Sequence, residues 1–277
     1  MENHMYNVKA IQYPNGEIQL RRYSSPLVLR EENCYEKDME FFYEPELDFD
    51  ANPFTGKKTK EIDDFAMLDK LREENARRSY NRTKQSIFSY SRCASWEKFV
   101  TMTFNGQFVD RYNYDECSKL LRTWLKNQRR NAPDLQYLFV PEYHKDGAIH
   151  FHGLMANTGS IQFVDSGKRT KDKKTIYNIS KWKYGFTTAI DVYNTHGVSK
   201  YLAKYITKEL CDLTSGKHRY FASNNLEHPR AETFLVDEVE FPEFLDMYIN
   251  SYGVEVKHIS RPRVEHAFLN VDYYELL

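Results

Sequence analysis

Val140-Pro-Glu-Tyr-His-Lys-Asp-Gly-Ala-Ile-His-Phe-His-Gly-Leu154 reads as two β-strands joined by a tight turn. Side chains on a strand point alternately to opposite faces, so His150 and His152 share one face and Phe151 points to the other. Whether Glu142 joins the histidines is set by the turn, because directly opposed residues share a face. A two-residue Asp146-Gly147 loop puts Glu142 opposite Phe151, on the wrong side. A three-residue loop, Lys145-Asp146-Gly147, with Gly147 in the left-handed conformation, puts it opposite His150. In that second register two imidazoles and a carboxylate converge. Such a mixed nitrogen and oxygen set suits a divalent cation with positions left open for substrate. Taken alone, two histidines one residue apart also fit a solvated sheet face, so a second constellation is needed to decide.

That constellation is Val198-Ser-Lys-Tyr-Leu-Ala-Lys-Tyr-Ile-Thr-Lys208. The segment from about Val198 to Leu210 has helical periodicity, with Asn194 or Thr195 available as its cap. Tyr201 and Tyr205 are four residues apart, about one helical turn, and so are Lys204 and Lys208. Both phenols lie beside the apolar stripe Val198, Leu202, Ile206 and Leu210, with the two ammonium groups farther round. Tyrosines edging a core and solvated lysines would give the same pattern. The chemical alternative is covalent catalysis: a tyrosine oxygen can attack a phosphodiester and hold the cleaved end as an ester. A free tyrosine, with a pKa near ~10, is a weak nucleophile at neutral pH. A cation polarising the phosphate and a nearby lysine supply the help it needs.

Outward from these two stretches, Trp96 to Phe104 has the β-branched and aromatic content of a strand, and Asp115 to Arg130 is an amphipathic helix. Gln136 to Tyr143 and Ile149 to Met155 are the strands of the hairpin, and Phe186 to Val192 is a further strand. Glu61 to about Ser91 is helical, with Ile62, Phe65, Leu68 and Leu71 on one stripe. Gly159 to Lys183 reads as a basic, turn-rich excursion from the sheet, fit to follow a phosphate backbone. Residues 1 to 50 read as loosely organised or as an accessory strand layer. Residues 211 to 277 carry short apolar runs and acidic residues without an interpretable motif.

The formal net charge of -1 conceals a segregation. Residues 1–50 hold 5 basic and 11 acidic side chains, residues 51–218 hold 29 and 18, and residues 219–277 hold 5 and 11. A basic middle that contains both constellations is compatible with a nucleic-acid partner. Cys34, Cys93, Cys117 and Cys211 are far apart and match no zinc spacing, so free thiols in a reducing compartment are expected. Gly56-Lys57-Lys58 and Gly167-Lys168-Arg169 lack the flanking glycine and hydroxyl of a phosphate-cradling loop, which argues against an ATPase. No apolar run approaches the ~20 residues of a spanning helix, and Met1 to Ala10 lacks the order of a secretory leader. A cytoplasmic protein is expected.

The order Phe99-Val-Thr-Met-Thr103, then Glu142 with His150-Phe-His152, then Tyr201-Leu-Ala-Lys204-Tyr205-Ile-Thr-Lys208 resembles the three motifs of the HUH endonucleases, the rolling-circle replication initiators of plasmids and single-stranded-DNA phages. Phe99 to Thr103 departs from the usual Phe-Leu-Thr-Leu-Thr pattern in its hydrophobes only. The resemblance implies an α+β fold on a central five-stranded antiparallel sheet with flanking helices. It also implies a Mg or Mn ion on Glu142, His150 and His152, and Tyr205 as first and Tyr201 as second nucleophile, with Lys204 and Lys208 assisting at the phosphate. Nicking would leave the 5′ phosphate on tyrosine and a free 3′ hydroxyl for a polymerase.

The domains expected on this basis are an acidic accessory segment over 1–60, a helical lead-in over 61–94, the HUH nicking domain over 95–210 and an acidic C-terminal extension over 211–277. The expected partners are single-stranded or cruciform origin DNA and the helicase and DNA polymerase of a bacterial host, with no membrane. A relaxase or transposase uses the same chemistry, although a relaxase more often has a third histidine in place of Glu142 and a tyrosine near its N-terminus. A sheet that binds single-stranded nucleic acid through aromatics without cleaving it is the non-catalytic rival.

Overall fold

The computed structural model describes residues 4–29, 64–193, 195–203, 205, 214, 216–261 and 269–277. The chain begins with strands β1 (His4–Gln12) and β2 (Ile18–Leu29), followed by helix α1 (Asp64–Tyr90) and strand β3 (Lys98–Thr103). Helix α2 (Tyr114–Asn131), the hairpin β4 (Gln136–Tyr143) and β5 (Ile149–Ala156), then β6 (Phe163–Arg169), β7 (Thr175–Ile179), β8 (Thr187–Asp191) and helix α3 (Thr195–Ala203) come next. After β9 (Phe221–Ala222) and β10 (Arg230–Phe234) follow helix α4 (Phe241–Tyr252), β11 (Val256–Ser260) and β12 (Val271–Leu276). The architecture is α+β, with two antiparallel sheets.

The chain divides into two units, one formed by Met1–Asn75 with Pro229–Leu277 and the other by Ala76–His228. The second holds a seven-stranded sheet in the order β6-β7-β8-β3-β5-β4-β9. Its inner five strands form the expected antiparallel sheet, extended by β6 on one edge and the short β9 on the other. Both faces of the inner strands are covered, as their alternating residues require. Val100, Met102, Phe139, Phe151 and Met155 face Leu121, Trp124 and Leu125 of α2. Phe99, Leu138, Val140 and Leu154 face Ile87 of α1 and Leu202 of α3. α2 starts where Asn113 accepts hydrogen bonds from the amides of Asp115 and Glu116, satisfying two of the donors a helix leaves open. Gly153 lies under the Phe139 ring, where a Cβ would come within 2.3 Å of it.

Gly159 to Lys183 is not an excursion from the sheet. It contributes β6 and β7, paired as an antiparallel hairpin, and β7 joins β8. The lysines and arginines of this stretch sit on strand and turn residues at the exposed edge, where charge is compatible with pairing. Gly167, with φ of 74°, lies where the β6–β7 register slips, and Lys173, with φ of 61°, makes the turn.

The first unit is a five-stranded sheet, β10-β1-β2-β12-β11, that draws strands from both ends of the chain. The accessory strand layer expected for residues 1–50 is found as β1 and β2, and the stretch without a motif supplies the other three strands. Val8, Ala10, Ile18 and Leu20 pack with Phe241, Tyr248, Tyr274 and Leu276. α4 begins with a proline in its first turn and ends at Gly253, whose φ of 64° suits a left-handed cap. Among the described residues no helix is long and apolar enough to cross a membrane.

Candidate active site

The turn between β4 and β5 has the three-residue form. The amide of His144 donates to the Ala148 carbonyl at 2.8 Å, that of Gly147 donates to the His144 carbonyl at 2.7 Å, and Gly147 has φ of 82°. Asp146 organises the loop: its carboxylate accepts from the Ala148 amide at 3.0 Å and from Arg111 at 3.1 Å, and it lies 3.2 Å from His144 Nδ1. The Ala148 amide is the main reason its carboxyl is held below the usual range. Glu142 therefore pairs with His150, and His150 pairs on its other side with Thr103 of β3. One step along, His152 stands between Val140 and Thr101. Glu142, His150 and His152 share a face.

His152 is fixed from both ring nitrogens. Nδ1 lies 3.1 Å from Thr101 Oγ1, and Nε2 lies 2.6 Å from Glu142 Oε2. The hydrogen bond from His152 is the largest influence holding the Glu142 carboxyl below its ordinary range, ahead of the opposing effect of burial. His150 is turned toward the hairpin tip, where its ring stacks on His144 at a centroid distance of 5.2 Å. Burial lowers its pKa, so it is a neutral imidazole with a lone pair at neutral pH.

The donor chemistry of this face fits a divalent cation. With Thr101 holding Nδ1, His152 presents Nε2 toward the carboxylate, as second-sphere partners do for metal-binding histidines. The three side chains are nevertheless not gathered around one point. Among the described residues no group of three or more histidine, cysteine or acidic side chains is arranged to hold an ion. Closing such a set requires the His150 ring to leave its stack on His144.

Both tyrosines reach this face. The Tyr205 ring lies parallel to His152 at 3.7 Å between centroids, with 10° between planes. Tyr205 donates a 2.7 Å hydrogen bond to Tyr201 Oη. The Tyr201 ring stands edge-on to Tyr205 and to Phe99, both at 5.3 Å. Burial, and then the bond to Tyr201, push the Tyr205 pKa upward, so the phenol keeps its proton. α3 runs to Ala203, and the Tyr205 amide closes a tight final turn on the Leu202 carbonyl at 3.2 Å. Asn194, Lys204 and Lys208, and the rest of the stretch expected to continue this helix to Leu210, lie outside the described residues.

Thr101 and His144 were not legible as site residues. Thr101 stands in a strand whose alternation matches that of His150 and His152, and that is the signal by which it could be found. His144 joins the site only because the turn folds its ring back over His150.

Residues 97–210 match the family model of the ORF2-type replication-associated proteins. The matched segment carries β3, the β4–β5 hairpin and α3, and thus every part of the site described above. The match supports a role in starting rolling-circle replication, with DNA as partner. No curated protein and no solved structure matches the chain.

Proposed function

We propose that this chain is a site-specific nicking and joining enzyme for single-stranded DNA that starts rolling-circle replication in a bacterial host, with residues 95–210 as its nicking domain. One observation carries the reading: the two tyrosine hydroxyls, 2.7 Å apart, belong to rings packed against the histidine that Glu142 holds. A solvated sheet face would not bring four such groups together under a helix.

In the proposed reaction Tyr205 Oη attacks the scissile phosphorus and loses its proton. The bond from phosphorus to the 3′ oxygen breaks, that oxygen takes up a proton, and the 5′ phosphate stays esterified to tyrosine. Joining is the reverse attack, by a 3′ hydroxyl on the phosphotyrosine. Glu142, His150 and His152 would hold Mg or Mn, which supplies polarisation of the phosphate and stabilisation of its developing charge. The raised pKa of Tyr205 makes such help necessary. Lys204 and Lys208 are proposed to add positive charge at the phosphate. A spacing of about one helical turn lets Tyr201 act on the same phosphate in alternation, releasing an enzyme still joined to the old end. The free 3′ hydroxyl primes a host polymerase, and a host helicase opens the strand ahead.

The test is incubation with labelled single-stranded DNA from the surrounding replicon and Mn or Mg, followed by a denaturing gel and mass mapping of the linked peptide. A covalent adduct on Tyr205, lost in Tyr205→Phe and still formed in Tyr201→Phe, is expected; Tyr201→Phe should fail in strand transfer. An adduct on Tyr201 alone reverses the assignment. Binding without any adduct supports the non-catalytic rival.

A further inference from the structure

The residues of the site belong to a longer row. Phe186, immediately before β8, exchanges both backbone hydrogen bonds with Thr103, at 2.9 and 3.1 Å. Directly paired residues share a face. Phe186, Thr103, His150 and Glu142 therefore stand side by side across β8, β3, β5 and β4, all on the face that carries His152 and the tyrosines. Thr188, two residues on from Phe186, continues this face and is exposed. The helix-covered end of the face is capped by Tyr201 and Leu202, whereas at the Phe186 end the aromatic side chain is 72% exposed.

An exposed phenylalanine is by itself unremarkable on a protein surface. What distinguishes Phe186 is how firmly it is presented. Besides the two bonds of Phe186, the Thr103 carbonyl accepts from Trp182 Nε1 at 3.2 Å, and the neighbouring Asn105 amide donates to Tyr184. Gly185 passes so close to Thr103 that a Cβ there would stand 2.2 Å from its carbonyl oxygen. Trp182 itself is buried against Phe104 and Trp124. The backbone is thus pinned on the core side while the ring is left bare on the site side.

We infer that Phe186 is a stacking platform for one base of the DNA strand whose phosphate is held at Glu142, His150 and His152, an inference that rests on the nicking function proposed above. Neighbouring strands are about 4.8 Å apart, so Phe186 lies about 10 Å from His150, a span of roughly three nucleotides at the ~3.4 Å spacing of stacked bases. Stacking on an aromatic ring orients a single strand with little regard for its sequence. A pinned platform beside the scissile position would set the register of the strand before the chemistry begins.

The test uses the full-length protein with fluorescein-labelled oligothymidylate and, for comparison, a duplex of equal length, in chelator so that no strand is cut. Phe186→Ala is expected to weaken oligothymidylate binding by about tenfold and to leave the salt dependence and the duplex affinity unchanged, because phosphate contacts are retained. Phe186→Trp is expected to bind as the parent does. Its added indole should be quenched by oligothymidylate, whereas the native Trp96, Trp124 and Trp182 are at most 6% exposed. Parental affinity in Phe186→Ala, equal losses on single strand and duplex, or unquenched emission from the added indole of Phe186→Trp would each overturn the platform while leaving the nicking reading intact. A parent protein that neither binds nor cuts single strands overturns both.

Discussion

At the scale of single residues, His152 is held by a hydroxyl on one nitrogen and a carboxylate on the other, and the two partners have separable effects. Thr101→Val keeps the volume and removes the hydroxyl. It is expected to cost about 1 kcal/mol in stability and to weaken Mn binding by about tenfold or more, since the imidazole loses the contact that orients it. Thermal unfolding and Mn titration of the two proteins check this. His150→Ala and His152→Ala are expected to abolish nicking while leaving the fold and most non-specific DNA affinity, and full activity in either would remove the metal from the proposal. A second consequence concerns pH. Burial raises the Tyr114 pKa to about 12 from 10.0. The folded state thus keeps a proton that the unfolded chain releases. The stabilisation is fully present below about pH 10 and is lost between about pH 10 and 12, on the order of 2 kcal/mol. Urea unfolding at a series of alkaline pH values should show that decline, blunted in Tyr114→Phe.

At the scale of elements, the β4–β5 hairpin depends on a single close approach as much as on its turn. Gly153→Ala forces a methyl group onto the Phe139 ring. A loss of about 1 to 3 kcal/mol is expected, with partial recovery in Gly153→Ala combined with Phe139→Leu, read from urea midpoints. The hairpin was legible in the sequence because both determinants, strand alternation and the turn glycine, are local. Glu142 required the turn to have an odd number of residues, and Gly147 supplied the conformation that makes it so. β6 and β7 were obscured because Lys168, Arg169, Lys171, Lys173 and Lys174 outweighed the β-branched residues beside them in any reading by charge. The terminal sheet was obscured for a different reason. Its pairings join Val8 to Phe234 and Leu20 to Tyr274, and nothing in either stretch announces a partner so distant. Only Asn15-Gly16 between the alternating residues of β1 and β2 carried a local sign, and Gly16, with φ of 87°, is the turn it forms.

At the scale of the whole molecule, a unit continuous in sequence, Ala76–His228, interrupts one built from both flanks of the chain. The continuous unit contains the candidate active site and its own core, so a fragment spanning those residues is expected to unfold cooperatively by itself; a featureless thermal melt would contradict that. The discontinuous unit has another dependence, on time. β2 pairs with β12 and β1 with β10, so the inner strands of that sheet emerge from the ribosome long before their neighbours exist. At about 5 to 20 residues per second, the segment from Pro229 to Leu277 takes several seconds to synthesise. During that interval the β1–β2 ribbon has two bare edges, each able to pair with another chain. A message broken shortly after the codon for His228 would therefore yield a protein with its nicking unit complete and its first two strands permanently without neighbours, a species prone to stick to its own kind.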